Sequence, residues 1–127
     1  MKELHIIVHE EAVEAYADLG LSTAKEVLKK LQEIKSSQNY LEISEFKNPN
    51  KLHSDMPNPS EDLEIIVSGG YTKTCCTMQL FALKKAGYNA RFHPTACCPG
   101  QGSLGSIMMK EILEEYPNFF EGLLSLR

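Results

Sequence analysis

Cys75 and Cys76 follow an aliphatic run, Ile65-Ile66-Val67, broken by Ser68-Gly69-Gly70, and they open a stretch with helical spacing. That placement puts Cys75 in a helix's first turn. There the positive end of the helix dipole and unpaired backbone N–H groups favour thiolate over thiol. Lys73, two residues earlier, would add to this if its ammonium turned inward. Two glycines just before let the backbone approach a ligand closely. A nucleophile and its oxyanion donors can be held together in this way. The competing reading is plain: free cysteines often serve as small buried apolar residues.

Other chemistry-bearing groups are scattered. His5, His9, His53 and His93 show no i, i+4 pairing. His9 and His93 would both stand at carboxyl ends of strands and could line one pocket. Cys75-Cys76 and Cys97-Cys98 could face each other, but no Cys-x-x-Cys is present, so no metal site is read here. The run Pro99-Gly100-Gln101-Gly102-Ser103-Leu104-Gly105 precedes a helical pattern and could cradle an anion. It fits no nucleotide fingerprint and reads more simply as a loop.

The elements that must position these residues alternate. Lys2 to Val8 reads as a buried strand and Glu10 to Leu19 as a helix stopped by Gly20. Thr23 with Glu26 suggests a capping box for a second helix carrying Val27, Leu28, Leu31 and Ile34 on one face. Tyr40 to Ser44 alternates like a strand. Phe46 to Ser60, with Pro49, Pro57 and Pro59, reads as a long surface loop. Leu63 to Val67 is a buried strand, Thr74 to Ala86 a helix closed by Gly87, and Asn89 to His93 the last clear strand. A loop from Pro94 to Gly102 leads to a helix beginning at Ser103 or Ser106 and ended by Pro117; Asn118 with Glu121 could cap a final turn. Apolar strands alternating with helices indicate an α/β fold, a single domain over residues 1–127 with a doubly wound, mainly parallel, Rossmann-like sheet covered by helices on both faces. In such sheets ligands sit beyond the carboxyl ends of the strands where the winding reverses. The loops after Val8, Val67 and His93 are therefore the places for chemistry.

Composition narrows the classes. Of 127 residues 43% are hydrophobic and 24% charged, and the net charge is −4, which suits a soluble domain and not a nucleic-acid binder. No apolar run approaches the length of a membrane span. The first residues carry charge and no long apolar core, so no secretory leader is read, and a cytoplasmic setting with reduced thiols is expected.

The segment from Ile65 to Cys98 resembles the core of the isochorismatase-like cysteine hydrolases, the family of nicotinamidases and N-carbamoyl amidohydrolases. The resemblance rests on a strand ending in glycine, then Gly70-Tyr71-Thr72-Lys73-Thr74-Cys75, then Gly87-Tyr88 twelve residues after the cysteine, then Ala96 after a strand. It covers about a quarter of the chain. The resemblance implies a doubly wound sheet, a Cys–Asp–Lys catalytic set with Cys75 as nucleophile, and a cis peptide between Gly70 and Tyr71. Gly70, Tyr71 and Thr72 would then form the oxyanion and substrate-binding turn. The pattern departs from the family in three places. Lys73 stands where an Asp is usual, and Thr95 where the family has another Asp. The Asp expected to end the first strand is replaced by His9-Glu10-Glu11, so Glu10 or His9 would be the proton carrier. The family's Lys would be Lys47 or Lys51.

These readings set the expectation of a thiol-dependent hydrolase that cleaves a C–N bond in a small amide or ureide through a Cys75 thioester. It would need no cofactor and no metal. Two other classes remain open: a non-catalytic relative that binds a small molecule or a partner, and a sulfur-transfer or redox protein pairing Cys75 with Cys97 or Cys98. Phe119, Phe120, Leu123 and Leu124 near the end suggest a homodimer or higher homo-oligomer.

Overall fold

Three consecutive aliphatic side chains can be buried together only where a strand is covered on both faces. Ile6, Ile7 and Val8 are all fully buried, and they end one of the two inner strands of the sheet. The computed structural model describes residues 2–20, 22–44, 47–70 and 75–98. Along the chain these form β1 (Lys2–Val8), α1 (Glu10–Asp18), α2 (Ser22–Ser37), β2 (Tyr40–Ile43), β3 (Leu63–Gly70), α3 (Cys75–Lys85) and β4 (Asn89–Cys98). The strands lie in the order β2-β1-β3-β4, all neighbours parallel.

Strand alternation sorts the core into two layers. Ile6, Val8, Ile65 and Val67 meet Cys76, Leu80 and Leu83 of α3 on one face. Ile7 meets Val13 and Ala17 of α1 and Ala24, Val27, Leu31 and Ile34 of α2 on the other. Each such aliphatic side chain stabilises the fold by roughly 1.5–3 kcal/mol on burial. The sheet is thus α/β and doubly wound. The winding reverses between β1 and β3, whose carboxyl ends stand side by side with Val8 opposite Gly69.

Among the described residues the connection from β2 to β3 contains no helix. Instead the segment after Ile43 lies over the α3 face, where Leu52 and Met56 pack against the core. Buried Gln79 holds it by donating Nε2–H bonds to the carbonyls of Pro49 (2.8 Å) and Lys51 (3.0 Å). The Tyr88 hydroxyl adds a bond to the Pro57 carbonyl. The expected loose surface loop is therefore tied down at several points.

Two boundaries differ from expectation. Ser68-Gly69-Gly70 does not break β3, because these residues continue to pair, Ser68 with Ile7 and Gly69 with Val8. Strand β4 does not stop at His93 but runs to Cys98, so the stretch expected to be a loop from Pro94 is strand for five residues. An irregularity makes this possible. Phe92 stands opposite Val67, and the next partners are Cys97 and Gly69. The extra β4 residues reverse the alternation: Ala90 and Phe92 pack on the α3 face, whereas Ala96 and Cys98 pack on the α1/α2 face. Pro94 is tolerated within that irregularity. Thr23 lies inside the first turn of α2, which begins at Ser22, so it is not the N-cap.

The helix expected after Ser103 or Ser106, the turn at Asn118 and the apolar residues from Phe119 to Leu124 lie outside the described residues. Among the described residues no helix is long and apolar enough to cross a membrane.

Candidate active site

The switch point between β1 and β3 holds one thiol and one imidazole in contact. Cys75 begins α3 and is half-buried. His9 is the residue immediately after β1 and is 7% exposed. Its side chain is hydrogen-bonded to Cys75. The backbone of His9 is left-handed, with φ 47° and ψ 53°, the one described non-glycine residue with positive φ. Such a conformation costs of order 1–3 kcal/mol and persists where the surroundings enforce it. Here the His9 N–H is held by the Ile43 carbonyl at 2.8 Å, and the His9 carbonyl accepts from Ala12 at 3.0 Å. His9 occupies the N-cap position of α1 but makes no side-chain cap bond. Its ring turns away from the helix toward the thiol.

A third group orients the ring. His9 Nε2 lies 3.1 Å from the Lys47 carbonyl. A carbonyl only accepts, so Nε2 carries a hydrogen and donates it. That leaves Nδ1 to take the Cys75 proton. The thiol, imidazole and carbonyl repeat the logic of nucleophile, base and orienting acceptor. The hydrogen bond to Cys75 is the main reason the His9 pKa is raised, helped by the Lys47 carbonyl and by the charge of Glu11, against the opposing effect of burial. A proton held on His9 favours Cys75 as thiolate.

The thiols of Cys76 and Cys98 are suppressed. Burial pushes the pKa of Cys76 well up, reinforced by its hydrogen bond to Cys97. Burial also raises that of Cys98, followed by the influence of Cys97. Cys76 donates to the Ser68 carbonyl at 3.7 Å and Cys97 to the Val67 carbonyl at 3.3 Å. The reversed alternation in β4 brings Cys97 to the α3 face and so to Cys76.

The remaining sequence-derived candidates fall elsewhere. Glu10 is buried and bound to α2: Lys35 Nζ lies 2.5 Å from Oε2 and Gln32 Nε2 3.2 Å from Oε1. Lys35 also reaches Glu42 at 2.7 Å. Burial alone would lower the Lys35 pKa, but the two carboxylates outweigh it and hold the ammonium above its ordinary value. Glu10 is thus occupied in joining α1, α2 and β2. The Lys47 side chain is exposed, and its backbone carbonyl is the group that touches His9. Lys51 is exposed too, and its carbonyl serves the Gln79 clamp. Gly70 ends β3, buried against Val13. Tyr71, Thr72 and Lys73 lie outside the described residues, as does the Gly70–Tyr71 peptide bond.

Gln79 is the residue that sequence reasoning passed over. It sits one helical turn after Cys75, fully buried, and fixes the segment that carries the Lys47 carbonyl. A lone amide on an otherwise apolar helix face was its only trace.

The assignment of Glu10 separates two outcomes. Glu10→Gln is expected to cost about 2 kcal/mol of stability by leaving Lys35 with one partner. Alkylation of Cys75 should stay within about twofold of the parent rate, because the base is His9. Urea unfolding and an iodoacetamide time course at pH 7 read both; a collapse in thiol rate with the fold intact would return the base role to Glu10.

Among the described residues no group of three or more His, Cys, Asp or Glu is arranged to hold a metal ion. Comparison with protein families, with curated proteins and with solved structures finds no match to this chain.

Proposed function

We propose that this chain is a cysteine hydrolase that cleaves the C–N bond of a small amide or ureide. The observation that carries the reading is the hydrogen bond between Cys75 and His9 at the winding reversal of the sheet. The substrate class follows from the resemblance of residues 65–98 to isochorismatase-like hydrolases. The Cys75 thiolate attacks the carbonyl carbon, and negative charge moves to the carbonyl oxygen. Backbone N–H groups at the start of α3 face that charge. The His9 imidazolium then gives its proton to the leaving nitrogen, the C–N bond breaks, and an acyl thioester remains on Cys75. Water, deprotonated by the now neutral His9, attacks the thioester. The acid is released, and the proton on His9 again pairs with the thiolate. A small homo-oligomer in the cytoplasm is the setting this reading assumes.

Ammonia release from a set of small primary amides and N-carbamoyl compounds tests it. Mass spectrometry of acid-quenched samples should find the acyl adduct on the peptide bearing Cys75. Ammonia release with the adduct on another residue would overturn the assignment. Saturable binding without ammonia would favour a non-catalytic binding protein.

The contact between Cys76 and Cys97 favours a second reading, in which Cys75 exchanges sulfur or electrons with the thiols behind it. A persulfide on Cys75, or a disulfide from Cys75 to Cys97 after treatment with a small organic disulfide, would support that reading over hydrolysis.

A further inference from the structure

A concavity lies on the α1/α2 face of the sheet, away from α3 and the Cys75–His9 pair. It occupies about 350 Å³ between α2 and strands β1, β3 and β4. His5 forms part of its floor. Its residue is 4% exposed, and neither ring nitrogen has a hydrogen-bond partner. A Glu3 carboxylate oxygen lies 4.0 Å from Nε2, too far for a hydrogen bond. An unpaired buried imidazole is destabilising unless a ligand supplies its partner. A second imidazole, that of His93, stands with its ring centre 6.1 Å from that of His5. His93 Nδ1 accepts from the N–H groups of Thr95 (3.1 Å) and Ala96 (3.0 Å). Its proton is therefore on Nε2, which is left to donate.

Charged groups of both signs line this cavity. Lys30 of α2, Arg91 of β4 and Glu3 of β1 all border it, with Arg91 Nε also held by Glu64 at 2.9 Å outside the lining. Helix α2 runs past the cavity to Ser37, so its carbonyl end, the negative end of its dipole, lies on the side of residues 37–38. Glu33 is paired with Lys30 at 3.6 Å on the rim. Around His93 the charged neighbours are mainly cationic: burial lowers its pKa most, and His5, Arg91 and Lys30 lower it further, with Glu3 a weaker opposing influence. Around His5 the order changes: burial lowers its pKa, and the Glu3 carboxylate outweighs Arg91 among its charged neighbours. Both rings are therefore neutral near pH 7, each with one donor and one acceptor nitrogen.

We propose that this cavity binds a small amino carboxylate, with the carboxylate toward His93, Arg91 and Lys30 and the ammonium toward Glu3 and His5. A neutral His5 can accept a hydrogen bond from the ammonium, and His93 Nε2–H can donate to the carboxylate. The volume is that of a site for a small molecule, and the mixed charge suits a ligand that carries both signs. This site stands apart from the hydrolase reading, and neither depends on the other.

The test uses the full chain, labelled with ¹³C, and follows the His5 and His93 Cε1–H resonances at pH 7. L-alanine, L-leucine, L-glutamate and L-arginine are titrated singly, against acetate, ethylamine hydrochloride and sodium chloride at equal ionic strength. At least one amino acid should shift both rings saturably. Acetate and ethylamine should each bind at least tenfold more weakly. Glu3→Gln and Lys30→Gln change exposed residues, leave the fold in place, and should each weaken the saturable binding about tenfold. Drift equal to that of sodium chloride for all four amino acids overturns the proposal. So does saturation by acetate at the same affinity, which would mark a plain anion site. Saturable binding unaffected by both variants would place the ligand elsewhere and overturn it as well.

Discussion

His9→Gln is expected to slow alkylation of Cys75 at pH 6.5–7 by about 100-fold, and to move the midpoint of its rate against pH up to about 8.5, the value of an ordinary thiol. In the parent protein the imidazole is hydrogen-bonded to the thiol and placed to take its proton. The ring's pKa is raised, chiefly by its bond to Cys75, which favours imidazolium beside thiolate over the neutral pair. Glutamine keeps a donor for the Lys47 carbonyl but cannot carry the proton. The thiol then ionises only against its own affinity for hydrogen, aided by the helix dipole alone, which contributes typically 0.3–1 kcal/mol. The proposed hydrolysis should fall by a similar or larger factor, because leaving-group protonation would be lost with the base. Stability changes in a set direction with pH. A proton bound more tightly in the folded state than in the unfolded chain adds stability below about pH 6.5 and is lost as pH rises through the folded pKa. The parent should therefore lose more stability than His9→Gln over the range just above 6.5. Alkylation profiles that superimpose for parent and variant would remove His9 from the site.

Much of this arrangement was legible in the chain. The aliphatic runs ending at Val8 and Val67 marked strands buried on both faces, and the helical spacing from Cys75 marked α3, although Gly69 and Gly70 stay in β3 where a break was expected. The parallel doubly wound sheet follows from that alternation, and with it the switch point where Cys75 and His9 meet. The choice between His9 and Glu10 was not legible, because adjacent residues after a strand differ only in which way the chain turns. The left-handed backbone at His9 decides it, aiming the imidazole at the thiol while Glu10 enters α1 and reaches Lys35. Local pattern reports residue type and period, and this outcome depends on tertiary packing from β2. The same holds for Lys47. A lysine suggests its ammonium, yet the site uses its carbonyl, and every residue has one. The extension of β4 was hidden by Pro94, which ordinarily argues against strand. A local irregularity absorbs the proline and then realigns Cys97 with Gly69. Such register changes follow from the partner strand and leave no periodicity of their own.

Gly69→Ala is expected to be the most damaging small substitution in the described chain, at about 3 kcal/mol or more. A Cβ at this position would lie 2.1 Å from the Val8 carbonyl oxygen and 2.8 Å from its nitrogen, both backbone atoms. The φ of +106° is also one that L-residues rarely adopt. Neither problem can be relieved by a side chain moving aside. The two strands must separate where β1 ends, one residue before His9. The substitution therefore strikes the thiol–imidazole contact as well as the fold, since displacing Val8 displaces the His9 ring bonded to Cys75. Two neighbours serve as measures of the separate contributions. Gly20→Ala meets nothing within 4 Å but has φ +91°, so it reports the backbone penalty alone, about 1 kcal/mol. Gly70→Ala meets only the Val13 Cγ2 at 2.9 Å, the end of a side chain, and has no unusual φ. It should cost about 1–2 kcal/mol by overpacking. Urea midpoints for the three variants should fall in the order Gly20 and Gly70 mild, Gly69 severe. Where Gly69→Ala remains folded, Cys75 alkylation at pH 7 should drop toward the His9→Gln rate, while Gly20→Ala keeps the parent rate. A Gly69→Ala protein as stable as Gly20→Ala, or one with the parent's thiol reactivity, would mean that β1 and β3 do not hold the imidazole and the thiol together in the way described.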